Sequence, residues 1–135
     1  MITKPVLTLE DAKRIAAAAQ AEAARNGWRV VIAVVDDGGH LLYLERDHQT
    51  QFGSVETAIA KAHAAIAFLR PTKASEDAVL SGRLIHLSLP GVIPAEGGVP
   101  LHLDGIIVGG LGVSGVRSFE DGQIAAAGAA VLSEE

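Results

Sequence analysis

His40 and Lys61 are the side chains whose type and setting point most directly to chemistry. His40 follows the pair Gly38-Gly39. Glycine lets a ligand approach the backbone, and an imidazole near neutral pH serves as a ligand or as an acid/base. The structural alternative is a hairpin-end histidine bonded to its own turn. Lys61 stands among Ala58, Ile59, Ala60, Ala62, Ala64, Ala65 and Ile66, a helical stretch with almost no polar face. A lysine there either snorkels to water or turns its ammonium toward a carboxylate. An unpaired buried charge is too costly to persist, so the partner is a ligand or an internal acid such as Glu56 or Glu96.

The remaining candidates are weaker. His63 shares a helical stripe with Ile59, Ile66 and Leu69, the pattern of a core histidine. His86 and His102 alternate with leucines and read as strand residues. No two of the five histidines lie at the helical spacing of a zinc site, and cysteine is absent, so no structural metal is expected. Gly110, Gly112 and Gly115 match GxGxxG after a strand and before a helix. A dinucleotide site also needs a second parallel strand, and none follows. With Ser114 and Arg117 these glycines instead offer backbone N–H groups to an anion at a helix N-terminus, or simply pack a strand closely on a helix. Glu96-Gly97-Gly98 is a candidate second pocket wall by the same backbone reasoning.

The elements that must position these residues follow from local signals. Thr8 and Asp11 form a capping-box pattern for a helix from about Leu9 to Asn26, closed by Gly27. Its small-residue face, Ile15, Ala18, Ala19, Glu22 and Ala23, suits close packing between subunits. Trp28 to Val35 is a dense β-branched run, Asp36-Asp37-Gly38-Gly39 supplies a turn, and His40 to Leu44 returns as a strand. Ser54 caps a helix to about Leu69, ended by Arg70-Pro71, and Ser75 caps a shorter one ending near Gly82. Leu84 to Leu89, Val99 to Leu103 and Ile106 to Val113 read as strands. Ser118 with Asp121 opens a final alanine-rich helix to about Leu132. Tight hairpins require antiparallel pairing, so the expectation is a single α+β domain over residues 1–135, with one antiparallel sheet of about five strands flanked by helices.

Composition narrows the function. The 135 residues are 49% hydrophobic and 20% charged, with a net charge of −5. Without a basic run there is no footprint for nucleic acid or for an acidic membrane surface. The start Met1-Ile2-Thr3-Lys4-Pro5 lacks the pattern of a signal peptide, and no apolar run reaches membrane-spanning length. A cytoplasmic protein is expected. The apolar surplus, with the small-residue faces of the first and last helices, leads to the expectation of a homo-oligomer.

Val35-Asp36-Asp37-Gly38-Gly39-His40-Leu41, Leu44-Glu45-Arg46-Asp47, Ala60-Lys61-Ala62, Gly97-Gly98-Val99-Pro100-Leu101, and Asp104-Gly105-Ile106-Ile107-Val108-Gly109 leading into Gly112-Val113-Ser114-Gly115 together resemble the GlcG/HbpS family. That family also supplies the C-terminal domain of PduO-type corrinoid adenosyltransferases. The resemblance covers Leu7 to Leu132. It implies a profilin-like fold, assembly into higher oligomers and, for some members, binding of heme or a related tetrapyrrole. Other members sit in catabolic operons, so the fold alone does not set the function. One departure is His48, where the family commonly has glycine after Arg46-Asp47.

Three functions are consistent with these residues. The first is a tetrapyrrole-binding protein, with heme held in a pocket at or near a subunit interface. His40 would be the axial donor, with Lys61 or Arg46 near the propionates and Glu96, Gly97, Gly98 and Ser114 around the ligand; one axial donor is enough for heme iron. The aromatic content of 4% then requires mostly aliphatic walls. The second is a catabolic lyase or isomerase acting on a small carboxylate or aromatic acid, with His40 as acid/base and Lys61 as anion binder. The third is a non-catalytic sensor or scaffold.

Overall fold

The computed structural model describes residues 1–133. Helix α1 spans Leu9–Arg25, strands β1 and β2 Val31–Asp36 and Leu41–Arg46, helices α2 and α3 Gly53–Phe68 and Thr72–Leu80, a 3-10 turn Leu84–Leu87, strands β3 and β4 Gly98–Leu103 and Ile106–Ser114, and helix α4 Ser118–Ser133. The four strands form one antiparallel sheet in the order β2-β1-β4-β3. This is the expected α+β arrangement with one strand fewer.

Local chemistry sets the element ends. The Thr8 hydroxyl accepts from Asp11 N at 3.2 Å while Thr8 N donates to the Asp11 carboxylate at 3.0 Å, so the capping box is complete. Leu69 ends α2 in the left-handed conformation, φ 56°, directly before Arg70-Pro71. The Ser54 cap is not formed: α2 begins a residue earlier at Gly53, and the Ser54 hydroxyl accepts from Gln51 Nε2 at 3.0 Å. Likewise α3 starts at Thr72, which places Ser75 inside the helix.

Strand β1 lies at the centre and is buried on both faces, which explains its unbroken apolar sequence. Ile32 and Val34 join Leu111, Val113 and Leu101 under α1 and α4. Val31, Ala33 and Val35 face α2 through Ala58, Ala62 and Ile66. The small-residue faces of α1 and α4, expected to meet other subunits, meet each other. A Cβ added at Gly128 would stand 3.1 Å from both the Ala19 methyl and the Ile15 carbonyl. Those faces are therefore used up within the chain.

The expected strand Leu84–Leu89 is the largest departure. The segment forms one 3-10 turn that carries His86 inward, where its Nδ1 lies 3.3 Å from the Ser75 hydroxyl. Its leucines point into solvent instead. No helix among the described residues is long and apolar enough to cross a membrane.

Candidate functional site

The structure divides the candidate residues between a surface groove and a buried cluster. The groove runs along the outer face of α2, which no element among the described residues covers. One part, of about 340 Å3, is lined by Glu56, Ile59, Ala60, His63, Gly91 and Ile93. A second, of about 380 Å3, is lined by Phe52, Gly53, Val55 and Glu56. Glu56 borders both, and otherwise the walls are mainly apolar. The volumes fall in the range of small-molecule sites.

His63 is therefore exposed on the groove wall, not in the core. The stripe that suggested burial, Ile59 and Leu69 with it, lies on the uncovered side of α2. The turn before His40 packs on this same imidazole, since a Cβ at Gly39 would meet the His63 ring at 2.8 Å. His40 projects from that turn with its side chain 82% exposed. Asp36 organises it: one carboxylate oxygen accepts from Gly38 N and His40 N, both at 2.9 Å, and lies 3.1 Å from His40 Nδ1. The N–H donated by the His40 backbone leads the bonds that hold the Asp36 carboxyl below its ordinary value, so it stays ionised. With Nδ1 3.1 Å from a carboxylate oxygen and the side chain largely exposed, His40 presents Nε2 to the outside. This carboxylate–imidazole arrangement is the one that orients metal-ligating histidines.

Lys61 heads the second cluster. Its ammonium donates to the Val113 carbonyl at 2.9 Å and to Asp121 Oδ2 at 3.0 Å, and both side chains are 3% exposed. The internal acid is thus Asp121, not Glu56 or Glu96. The other Asp121 oxygen accepts from Val116 N at 3.2 Å, so one carboxylate ties α2, the end of β4 and the start of α4 together. Burial pushes the Asp121 carboxyl up to about 6, with Lys61 opposing the rise. Gly97, at φ 132°, closes over the pair: a Cβ there would stand 2.8 Å from the Lys61 ammonium and 2.5 Å from the Val113 carbonyl. Gly98 abuts the Lys61 carbonyl at 2.3 Å by the same measure, and the Glu96 carboxylate lies over Gly122, raised by burial.

The structure thus brings Lys61, Glu96, Gly97 and Gly98 together but sets them apart from the turn that bears His40. Ser114 is buried at the end of β4. Arg46 is exposed but uses Nη1 to donate to its own loop, most closely to the Thr50 carbonyl at 2.8 Å. Gly110 and Gly112 make room for α2, a Cβ at the latter standing 2.0 Å from the Ala58 carbonyl, so the GxGxxG pattern serves close packing. Asp121 as the partner of Lys61, and Ile59, Ala60 and Ile93 as groove walls, escaped the sequence reading, and His63 was read as a core residue. The one available signal was Lys61 itself, which required an acid.

The family model for the haem degrading protein HbpS-like group matches residues 7–130. The chain is 43% identical over 114 residues to Protein GlcG of Escherichia coli strain K12, covering 84% of this chain and 85% of that protein. The crystal structure of HbpS superposes with a TM-score of 0.87 at 34% identity, over 98% of this chain and 94% of that one. The crystal structure of a PduOC:heme complex gives 0.82 at 32% identity, over 93% and 94%. The chain belongs to the HbpS-like family.

Proposed function

We propose that this protein binds heme or a related tetrapyrrole in the α2 groove, with His40 Nε2 as the axial donor to the iron. The observation that carries this reading is an imidazole held through Nδ1 by an ionised carboxylate, on a turn packed against the wall of an open apolar groove. The donor set fits the group. Heme asks for one imidazole and apolar walls, and Ile59, Ala60 and Ile93 supply walls without aromatic side chains. Arg46, exposed beyond its loop contacts, is the cation for a propionate. The bound group would supply its iron for redox or oxygen chemistry, while the protein orients and shelters it. The structure of a PduOC:heme complex, on a related chain, supports the same ligand class. An enzyme acting on small carboxylates draws less support, because the Lys61 ammonium it would use is already held by Asp121.

Absorption titration with hemin tests the assignment. His40→Ala should weaken binding by about tenfold or more, and Asp36→Asn should follow in the same direction through loss of the imidazole's orientation. His63→Ala should bind with a smaller loss and unfold at the parental temperature, because His63 is exposed. Equal losses for His40→Ala and His63→Ala, or none for the former, would remove His40 from the iron.

A further inference from the structure

We propose that Arg70 and Ser75 bind a carboxylate in a small cleft where α2 ends and α3 begins. The anion site itself does not rest on the tetrapyrrole reading; only the assignment of its carboxylate to a ligand in the α2 groove does.

The walls of the cleft include Phe68, Arg70, Thr72, Ser75 and Ile93, and it encloses about 10 Å3, near the least that admits one oxygen atom. Arg70 Nε is buried there, and no group among the described residues accepts from it. The guanidinium is nevertheless held in place, its carbon 5.7 Å from the centroid of the Phe68 ring. Neither carboxylate of α3 serves it. Glu76 accepts from Glu96 N at 3.0 Å, and Asp77 pairs with Lys73 at 2.8 Å. Lys61 shows the contrast, since its buried ammonium has Asp121 beside it. A buried donor on a charged group without an acceptor is costly, so the acceptor for Arg70 comes from outside the chain.

The shape of the guanidinium selects that acceptor. Nε–H and the Nη–H on the same edge point in parallel and match the two oxygens of a carboxylate. One oxygen enters the cleft to reach Nε, and the other stays at its mouth. Ser75, 5% exposed, supplies a second donor from the buried wall. Its Oγ lies 3.3 Å from Nδ1 of the buried His86. With His86 donating to Ser75, the hydroxyl keeps its own hydrogen for the anion. The 3-10 turn thus has a use for its one buried side chain. Helix α3 adds its positive end, because Pro71 caps it without a side-chain hydrogen bond and its first residue, Thr72, lines the cleft.

Ile93 is a wall of both the cleft and the α2 groove. Two sources therefore present the same chemistry: a free small acid, or the acidic arm of a molecule lying in the groove.

Titration with sodium acetate followed by NMR tests the site, with sodium chloride at matched ionic strength as the reference. Acetate should shift the Arg70 Nε–H signal and the Thr72 and Lys73 amides saturably at millimolar concentration, and leave the Lys61 amide in place. Arg70→Lys keeps the charge but loses the fork, and Ser75→Ala loses the hydroxyl; each should bind acetate about tenfold more weakly, read at the two amides. Circular dichroism checks the fold, and Ser75→Ala decides if Arg70→Lys is unfolded. No saturable shift in the wild type, an equal response to chloride, or unchanged affinity in the deciding variant overturns the site and leaves water as the partner of Arg70. Hemin and its dimethyl ester, which lacks free carboxylates, separate the two sources. A preference for hemin over the ester that shrinks in Arg70→Lys assigns the carboxylate to the groove ligand. An equal preference in both proteins, with the acetate response intact, assigns it to a free acid. Failure of either porphyrin to bind removes the tetrapyrrole reading and leaves the anion site standing.

Discussion

Lys61→Met is expected to lower the melting temperature by on the order of 10–15 °C near pH 8 and by clearly less near pH 5. Removing one member of a buried ion pair costs about 3–5 kcal/mol, because the other charge is left without compensation. Here the stranded group is Asp121, enclosed by Gly97 and the start of α4. Its carboxyl already stands at about 6 against an ordinary 3.8, with burial as the main cause and Lys61 pulling it down. Without Lys61 it must rise further. A carboxyl raised in the folded state contributes its full stability below the unfolded value of 3.8, and that contribution is lost as pH rises through the folded value. At the lower pH Asp121 of the variant is protonated and tolerates the dry site; at the higher pH it is forced to ionise there. Thermal unfolding followed by circular dichroism at the two pH values measures the difference. Equal losses at both would mean that Asp121 is not the group left stranded.

Gly112→Ala should destabilise by about 3 kcal/mol, at the upper end of the cost of overpacking a core. The added methyl would stand 2.0 Å from the Ala58 carbonyl and 2.6 Å from Ala62 N. Both obstacles are helix backbone, which cannot step aside as a flexible side chain can. Strand β4 and α2 would have to separate, and the groove on the far side of α2 would shift with them. Gly53→Ala is the control, since a Cβ there meets nothing within 4 Å. Urea unfolding of the two variants should give a large loss for the first and a change within about 0.5 kcal/mol for the second. Similar midpoints for both would refute the close approach.

Much of this fold could be read locally. Thr8 with Asp11, the β-branched run of β1 and Pro71 each act through neighbours a few residues away, and each sets the element expected of it. What resisted reading depends on distant partners. Asp121 fits the pattern of a helix cap after Ser118, and only the fold brings it to a lysine 60 residues earlier. His63 looked like a core residue because α2 is apolar on nearly every side, so its sequence cannot say which side stays open. In Leu84–Leu87 the alternation of leucine and histidine imitates a strand. The segment closes into a single 3-10 turn instead, with His86 buried and its Nδ1 3.3 Å from the Ser75 hydroxyl. The family resemblance carried the fold further than the local signals did, but it did not separate the His40 turn from the Lys61 cluster.

Whether the ligand lies in the α2 groove is decided most directly by two-dimensional NMR of the amide-labelled protein with and without iron(III) protoporphyrin. Paramagnetic broadening should remove the amide signals of His40, Ala60, His63 and Ile93 and leave those of Ala16 and Ala129, on the opposite side of the sheet, sharp. Broadening centred on α1 and α4, or signals unchanged at saturating hemin, would contradict the groove as the binding site.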